Sequence, residues 1–175
     1  MPLYFTEPGL NSLQEREKKM AALVRSSGAE VGDAAGMNCD WHDNAGFDEA
    51  KRALEFNSRR LQEIRAALGQ ALLVTLTEQA NSVRIGSTVF VTLIDKNGDE
   101  EEKEFTIGAY AETDTKLGLI AYDSPMATAM IAQEVGVTLE RVKMGNKVLD
   151  ITINKILPPS ARYIQLISEF YQSAE

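Results

Sequence analysis

LNSLQEREKKMAALVRSSGAEVGDA (residues 10–34) and FDEAKRALEFNSRRLQEIRAALGQA (residues 47–71) decide the fold of this chain. Taken in alternating steps of three and four, the first yields Leu10, Leu13, Glu17, Met20, Val24, Ser27, Val31 and Ala34. The second yields Phe47, Ala50, Leu54, Asn57, Leu61, Ile64, Leu68 and Ala71. That stepping is a coiled-coil seam, apolar except at Glu17, Ser27 and Asn57. Two equal seams around a short connection predict an antiparallel helical hairpin. Folded about residue 42, its facing positions sum to roughly 84, which sets Ser27 against Asn57, Met20 against Ile64 and Ala34 against Ala50. A polar pair in a seam costs stability and fixes register. Each arm would reach ~45 Å at ~1.5 Å per residue. Gly28, Gly32 and Gly36 fall off the first seam, and each costs about 1 kcal/mol in a helix, so the distal end of that arm is expected to fray or bend.

Beyond about Val83 the period becomes two. Val83 to Ile94 is apolar and β-branched, and Asp95-Lys-Asn-Gly98 supplies turn chemistry before a strand returning over Lys103–Ala109. Asp99–Glu102 reads as a solvated hairpin loop, and Leu119–Tyr122 as a short strand. Ser124-Pro125 reads as an N-cap with proline in the first helical turn. Leu139–Met144 and Lys147–Ile156 flank Gly145-Asn146, a two-residue hairpin turn. After Pro158-Pro159, residues 160–171 carry Tyr163, Ile164, Ile167, Phe170 and Tyr171 at helical spacing, an amphipathic helix expected to pack on its own domain. The predicted class is α+β. A coiled-coil hairpin (1–75) and a linker near 72–82 precede an antiparallel β-sheet domain with a short helix (80–157) and a C-terminal helical extension (158–175).

Composition narrows the function. The chain has 175 residues, 26 acidic against 18 basic, and a net charge of −8, which disfavours binding nucleic acid chiefly through phosphates. One cysteine and one histidine exclude a disulfide scaffold and a zinc finger. No apolar run approaches the roughly 20 residues of a membrane span, and MPLYFTEPG lacks the features of a signal peptide. A cytoplasmic protein without membrane contact is expected.

Charge is arranged along the hairpin. Residues 26–50 hold Glu30, Asp33, Asp40, Asp43, Asp48 and Glu49 and no lysine or arginine, whereas 51–65 hold Lys51, Arg52, Arg59, Arg60 and Arg65. Asp40 and Asp43, at the turn, suit the positive end of the second helix as caps. Two exposed carboxylates also complete the shell of a shared Mg²⁺, which takes oxygen ligands together with waters and phosphates. His42 and Cys39 read as ordinary turn residues.

At these residues the chain resembles the bacterial Gre transcription elongation factors. Cys39-Asp-Trp-His-Asp-Asn-Ala-Gly-Phe47 stands where that family has G-D-x-x-E-N-A-x-Y. Arg84–Val89, Phe105–Gly108, Leu119–Ala127 and Gln133–Gly136 follow its pattern in order, the last nearer GreB than GreA. The resemblance covers roughly residues 5–157 and implies an FKBP-like second domain that docks on bacterial RNA polymerase at the rim of its secondary channel. It further implies that Asp40 and Asp43 help hold the second active-site Mg of the polymerase, so that the polymerase cleaves its own backtracked RNA. Asn44 and Phe47 would shape the tip. Lys51, Arg52, Arg59 and Arg60 would face the nascent RNA 3′ end, and Asp123, Ser124 and Pro125 would meet the polymerase coiled coil at the rim. The protein would have no cofactor of its own, would not itself be an enzyme, and would act as a monomer.

Three departures from the family pattern sustain an alternative. Asp43 replaces a glutamate one methylene longer, Gly46 replaces a usual acid, and Trp41-His42 enlarges the tip. A factor of this fold that occupies the channel and inhibits or retunes the polymerase without stimulating cleavage would show such a tip. A third reading is an FKBP-like prolyl isomerase or chaperone with a helical arm, and catalysis there needs Phe90, Phe105, Tyr110 and Tyr122 to line one apolar pocket.

Overall fold

The computed structural model describes residues 2–36, 45–76, 81–145, 147–159 and 161–173. They form two compact units: Met1–Leu3 with Leu10–Ala71, and Tyr4–Gly9 with Leu72–Glu175.

The first unit holds the helical hairpin, made of α1 (Glu7–Gly36) from Leu10 onward and α2 (Ala45–Leu68). The predicted register is present. Asn57 Nδ2 donates to Ser27 Oγ at 3.0 Å, and Ser27 is buried. Glu17, the other polar seam residue, accepts from Arg65 Nε at 2.7 Å. Moving up α1 from Glu17 to Ser27 moves back down α2 from Arg65 to Asn57, so the helices are antiparallel. Leu61 and Ile64 are buried on the seam. The expected fraying is corrected: α1 runs unbroken to Gly36. A Cβ at Gly28 or Gly32 would meet nothing within 4 Å, as positions off the seam require. The glycine penalty of about 1 kcal/mol each is small beside the seam burial along the same helix.

The stretch expected to be linker begins with a strand. β1 (Leu3–Phe5) and β2 (Ala71–Leu73) form a two-stranded ribbon. Val74 N–H donates to Phe5 O at 2.9 Å just past it.

The second unit is built on a five-stranded sheet of order β5-β4-β3-β7-β6. Its strands are β3 (Thr88–Ile94), β4 (Glu100–Gly108), β5 (Leu119–Ala121), β6 (Thr138–Met144) and β7 (Lys147–Leu157). Central β3 alternates as its sequence demands: Val89, Val91 and Leu93 are buried with Ile107, Ile151 and Ile153, and Met126 and Met130 of α3 (Pro125–Met130) join them. Each such side chain contributes roughly 1.5–3 kcal/mol of burial.

Three local expectations are corrected. β3 starts at Thr88, not Val83, because Gly86 at φ +90° and the Ser87 N–H to Arg84 O bond (3.0 Å) turn the chain first. β4 reaches back to Glu100, so Glu100–Glu102 pair with Ile94–Thr92 instead of looping. β5 runs parallel to β4 within an otherwise antiparallel sheet. α4 (Ala161–Ser173) packs on its own unit through buried Tyr163 and Ile167, which cluster with Leu119.

Candidate functional site

Asp40, Asp43 and Asn44 lie outside the described residues, as do Cys39, Trp41 and His42. The remaining candidates fall on two surfaces, one on each unit.

On the hairpin, Phe47 is half-buried, as its seam position requires. Lys51, Arg52, Arg59 and Arg60 are all exposed. Helical spacing brings Arg52, Arg59 and Arg60 around Phe56, while Lys51 falls outside that face. The Arg60 guanidinium lies over the Phe56 ring, 5.7 Å from its centroid. Sequence reasoning passed over what surrounds them. Arg16, Lys19 and Leu23 of α1 join Phe56 and Arg60 in a shallow groove whose lining includes three bases and no acid. Phe56 is 59% exposed and Leu23 45% exposed. The available signal was two large apolar residues off the seam, set among bases.

On the second unit, Ser124 caps α3. Its Oγ accepts from Ala127 N–H at 3.3 Å and its carbonyl from Thr128 N–H at 2.8 Å, and Pro125 opens the first turn. Ser124 and Pro125 border a groove of about 970 Å³. Phe105, Ile120, Met126, Met144 and Leu149 line its apolar part, while Asp123 stands exposed beside it. Asp95, Asp99, Glu100 and Glu101 line the groove together with Lys96, Lys103 and Lys147, and Lys103 Nζ pairs with Glu101 at 3.0 Å. The Asp95 carboxyl is held below its ordinary value, chiefly by N–H donation from Asp99 and then from Asn97. The four aromatics of the isomerase reading do not meet in one pocket. Phe105 lines the groove, Phe90 lies under Lys155 Nζ, Tyr110 packs on Phe5 and Tyr122 on Tyr4.

Residues 78–158 match the family model for the C-terminal domain of the transcription elongation factors GreA/GreB. The GreA transcription elongation factor of Nautilia profundicola is 36% identical over 148 residues, covering 83% of this chain and 90% of that one. The chain belongs to the GreA/GreB family.

GreA of Allorhizobium ampelinum is 33% identical over 141 residues, covering 80% of this chain and 87% of its own length. The solved structure of the GreA factor homolog 1 (Gfh1) protein of Thermus thermophilus is 18% identical, with a TM-score of 0.42, and covers 89% of this chain and 99% of that one. Both of these sequence relatives are named GreA, so the leaning of this Gre-family chain toward GreB stays a reading of Gln133–Gly136. Among its described residues, no three His, Cys, Asp or Glu side chains are grouped to hold a metal, and no helix is long and apolar enough to cross a membrane.

Proposed function

We propose that this Gre-family factor binds RNA polymerase through its secondary channel, as a monomer, and stimulates the polymerase's own cleavage of backtracked RNA. One observation carries the reading. Two long antiparallel helices are locked in register at Ser27 and Asn57, and the residues that join them include Asp40 and Asp43. A slender arm bearing carboxylates at its turn suits delivery of charge into a channel too narrow for a globular domain.

The donor chemistry of the arm fits Mg²⁺, which takes carboxylate oxygens and fills its shell with water and phosphate. Asp40 and Asp43 would hold the ion jointly with polymerase groups. A second ion at such a centre supplies charge stabilisation for the attacking and leaving oxygens of the displacement. The protein's own contribution is to place two carboxylates and to exclude misplacement. Lys51, Arg52, Arg59 and Arg60 would attract the extruded RNA 3′ end, and Asn44 and Phe47 would shape the turn. Asp123, Ser124 and Pro125, with the apolar groove beside them, would dock on the coiled coil at the channel rim. Supplied in trans, the carboxylates make the factor a conditional helper of another enzyme and not a nuclease.

The test is a backtracked elongation complex of defined sequence, with and without the factor. Faster release of the 3′ RNA fragment supports the reading. Binding without acceleration overturns it and leaves a channel-occupying regulator, which the shortened Asp43 would explain.

A further inference from the structure

Glu112 is fully buried and, among the described residues, is paired with no cation, yet four donors converge on its carboxylate. Thr6 Oγ1 and Tyr171 Oη donate to Oε1, the latter at 3.2 Å. Ala109 N–H and Tyr163 Oη donate to Oε2 at 2.7 and 3.1 Å. All these residues belong to the second unit. Tyr163 and Tyr171 come from α4, which begins beyond residues 78–158, the part of the chain that matches the family.

Glu112 sits in the loop between β4 and β5, and that loop is tied back to β5. Asp114 and Leu119 exchange both backbone hydrogen bonds at 2.9 Å, and Thr113 Oγ1 accepts from Ala121 N–H at 3.2 Å. Gly108, the last residue of β4, comes so close that a Cβ there would fall 2.6 Å from Glu112 O and 3.1 Å from Leu119 Cδ1. β5 itself is an edge strand of three residues, with β4 as its neighbour in the sheet. A segment with so few backbone bonds depends on side-chain burial to stay closed. The larger of its buried side chains, Leu119, is fully enclosed and clusters with Tyr163 and Ile167 of α4. α4 thus grips one short stretch twice, through an apolar contact on Leu119 and hydrogen bonds on Glu112. Just past β5 come Asp123, Ser124 and Pro125, and Ser124 N–H donates to Ala121 O at 3.0 Å.

We infer that α4 is a strut for the docking turn: Ile167 and Tyr163 are positioning residues that act through Leu119 and Glu112 to hold Asp123, Ser124 and Pro125 in the form that meets polymerase. This rests on the docking reading above. The turn touches the partner and α4 does not, so loss of the strut lowers the fraction of molecules able to dock. Docked molecules still work as before. Affinity therefore moves, and maximal cleavage does not.

Ile167→Asp tests this, since an unpaired carboxylate is expelled from an apolar contact. Ile164→Asp is the matched control, the same change at a position 65% exposed where Ile167 is 3% exposed. Three quantities are read on the full chain: amide exchange of residues 119–122, affinity for RNA polymerase, and cleavage rate at saturating factor. In Ile167→Asp, exchange at 119–122 rises about 10²-fold while Val89, Val91 and Ile153 stay slow. Affinity weakens about tenfold and maximal cleavage holds within about twofold. Ile167→Leu keeps the contact and behaves as wild type. If the core residues also lose protection in Ile167→Asp, Tyr163→Phe carries the test, because it deletes one hydroxyl and keeps the ring on Leu119. Faster exchange at 119–122 with weaker binding then supports the strut, and wild-type values overturn it.

Unchanged affinity in folded Ile167→Asp overturns the inference, since a helix serving stability alone would lower only the melting midpoint. An equal loss of affinity in Ile164→Asp also overturns it, because the open face of α4 would then be touching polymerase. Wild-type protein that fails to bind polymerase or to accelerate cleavage, or Asp123→Ala that binds as well as wild type, sinks the docking reading alone. The strut is then judged on exchange: faster exchange at 119–122 in Ile167→Asp supports it, unchanged exchange overturns it.

Discussion

Asn57 donates its side-chain amide to the Ser27 hydroxyl across the hairpin at 3.0 Å, a polar layer in a seam whose other polar residue is Glu17. Such a layer selects one register by penalising the others, since any slip buries both groups without partners. Asn57→Leu leaves Ser27 unpaired and is expected to cost about 1–3 kcal/mol in urea unfolding. Ser27→Ala combined with Asn57→Leu costs less than the two single changes added, because both orphaned groups are gone. Strict additivity in that double-mutant cycle would contradict the pairing.

Alkaline titration probes the other buried polar site. Burial first, then the charge of Glu112 and the hydrogen bond to it, push the Tyr163 and Tyr171 hydroxyls well above the ordinary tyrosine value. The fold therefore prefers the protonated form. That stabilisation is complete below the unfolded value of about 10 and is lost as pH rises through the folded values. Stability should fall above about pH 10, with these two phenols ionising only as the unit unfolds. Absorbance at 295 nm followed alongside circular dichroism checks it. Ionisation of all five tyrosines near pH 10 in folded protein would contradict it.

The cap of α3 makes a smaller, local prediction. Ser124→Ala removes the acceptor for Ala127 N–H from a helix of six residues. The expected cost is about 1 kcal/mol, seen as a midpoint lowered by about 4–8 °C for a domain of this size. Affinity for polymerase should weaken with it, because Pro125 and the groove edge are placed by that turn. An unchanged melting curve would show that the cap bond contributes nothing.

Ala111 offers a change in the opposite direction. It sits exposed at φ +61°, where a Cβ is strained and glycine is not. Ala111→Gly should stabilise the unit by about 0.5–1 kcal/mol in denaturant unfolding, the relief of strain exceeding the added chain entropy. A loss of stability would mean that the loop is not strained there.

Much of this architecture is legible in the sequence, for physical reasons. The stepping of Leu10 to Ala34 and Phe47 to Ala71 is a local signal, and the meeting of its polar exceptions follows from chain reversal alone. Ser124-Pro125 and Gly145, at φ +61°, announce their cap and turn through backbone chemistry that few other residues satisfy. Less was legible where pairing is non-local. β1 and β2 are three residues each and gain their identity only from one another. Glu100–Glu102 look like loop until β3 offers partners, because acidic side chains say nothing about backbone hydrogen bonds. Glu112 gave no signal at all. Its donors lie 106, 51 and 59 residues away at Thr6, Tyr163 and Tyr171, and an isolated glutamate in a loop reads as solvated. The exposed bases around Phe56 were legible as a basic run, but the contribution of Arg16 and Lys19 needed the hairpin register.

Assistance of polymerase in trans by Asp40 and Asp43 is tested by the Mg²⁺ dependence of RNA cleavage in a backtracked complex. Wild type, Asp40→Asn and Asp43→Asn would be compared at saturating factor. Wild type should lower the Mg²⁺ concentration needed for half-maximal cleavage, and each substitution should abolish this shift while leaving binding to polymerase intact. Equal acceleration by wild type and both variants would contradict it.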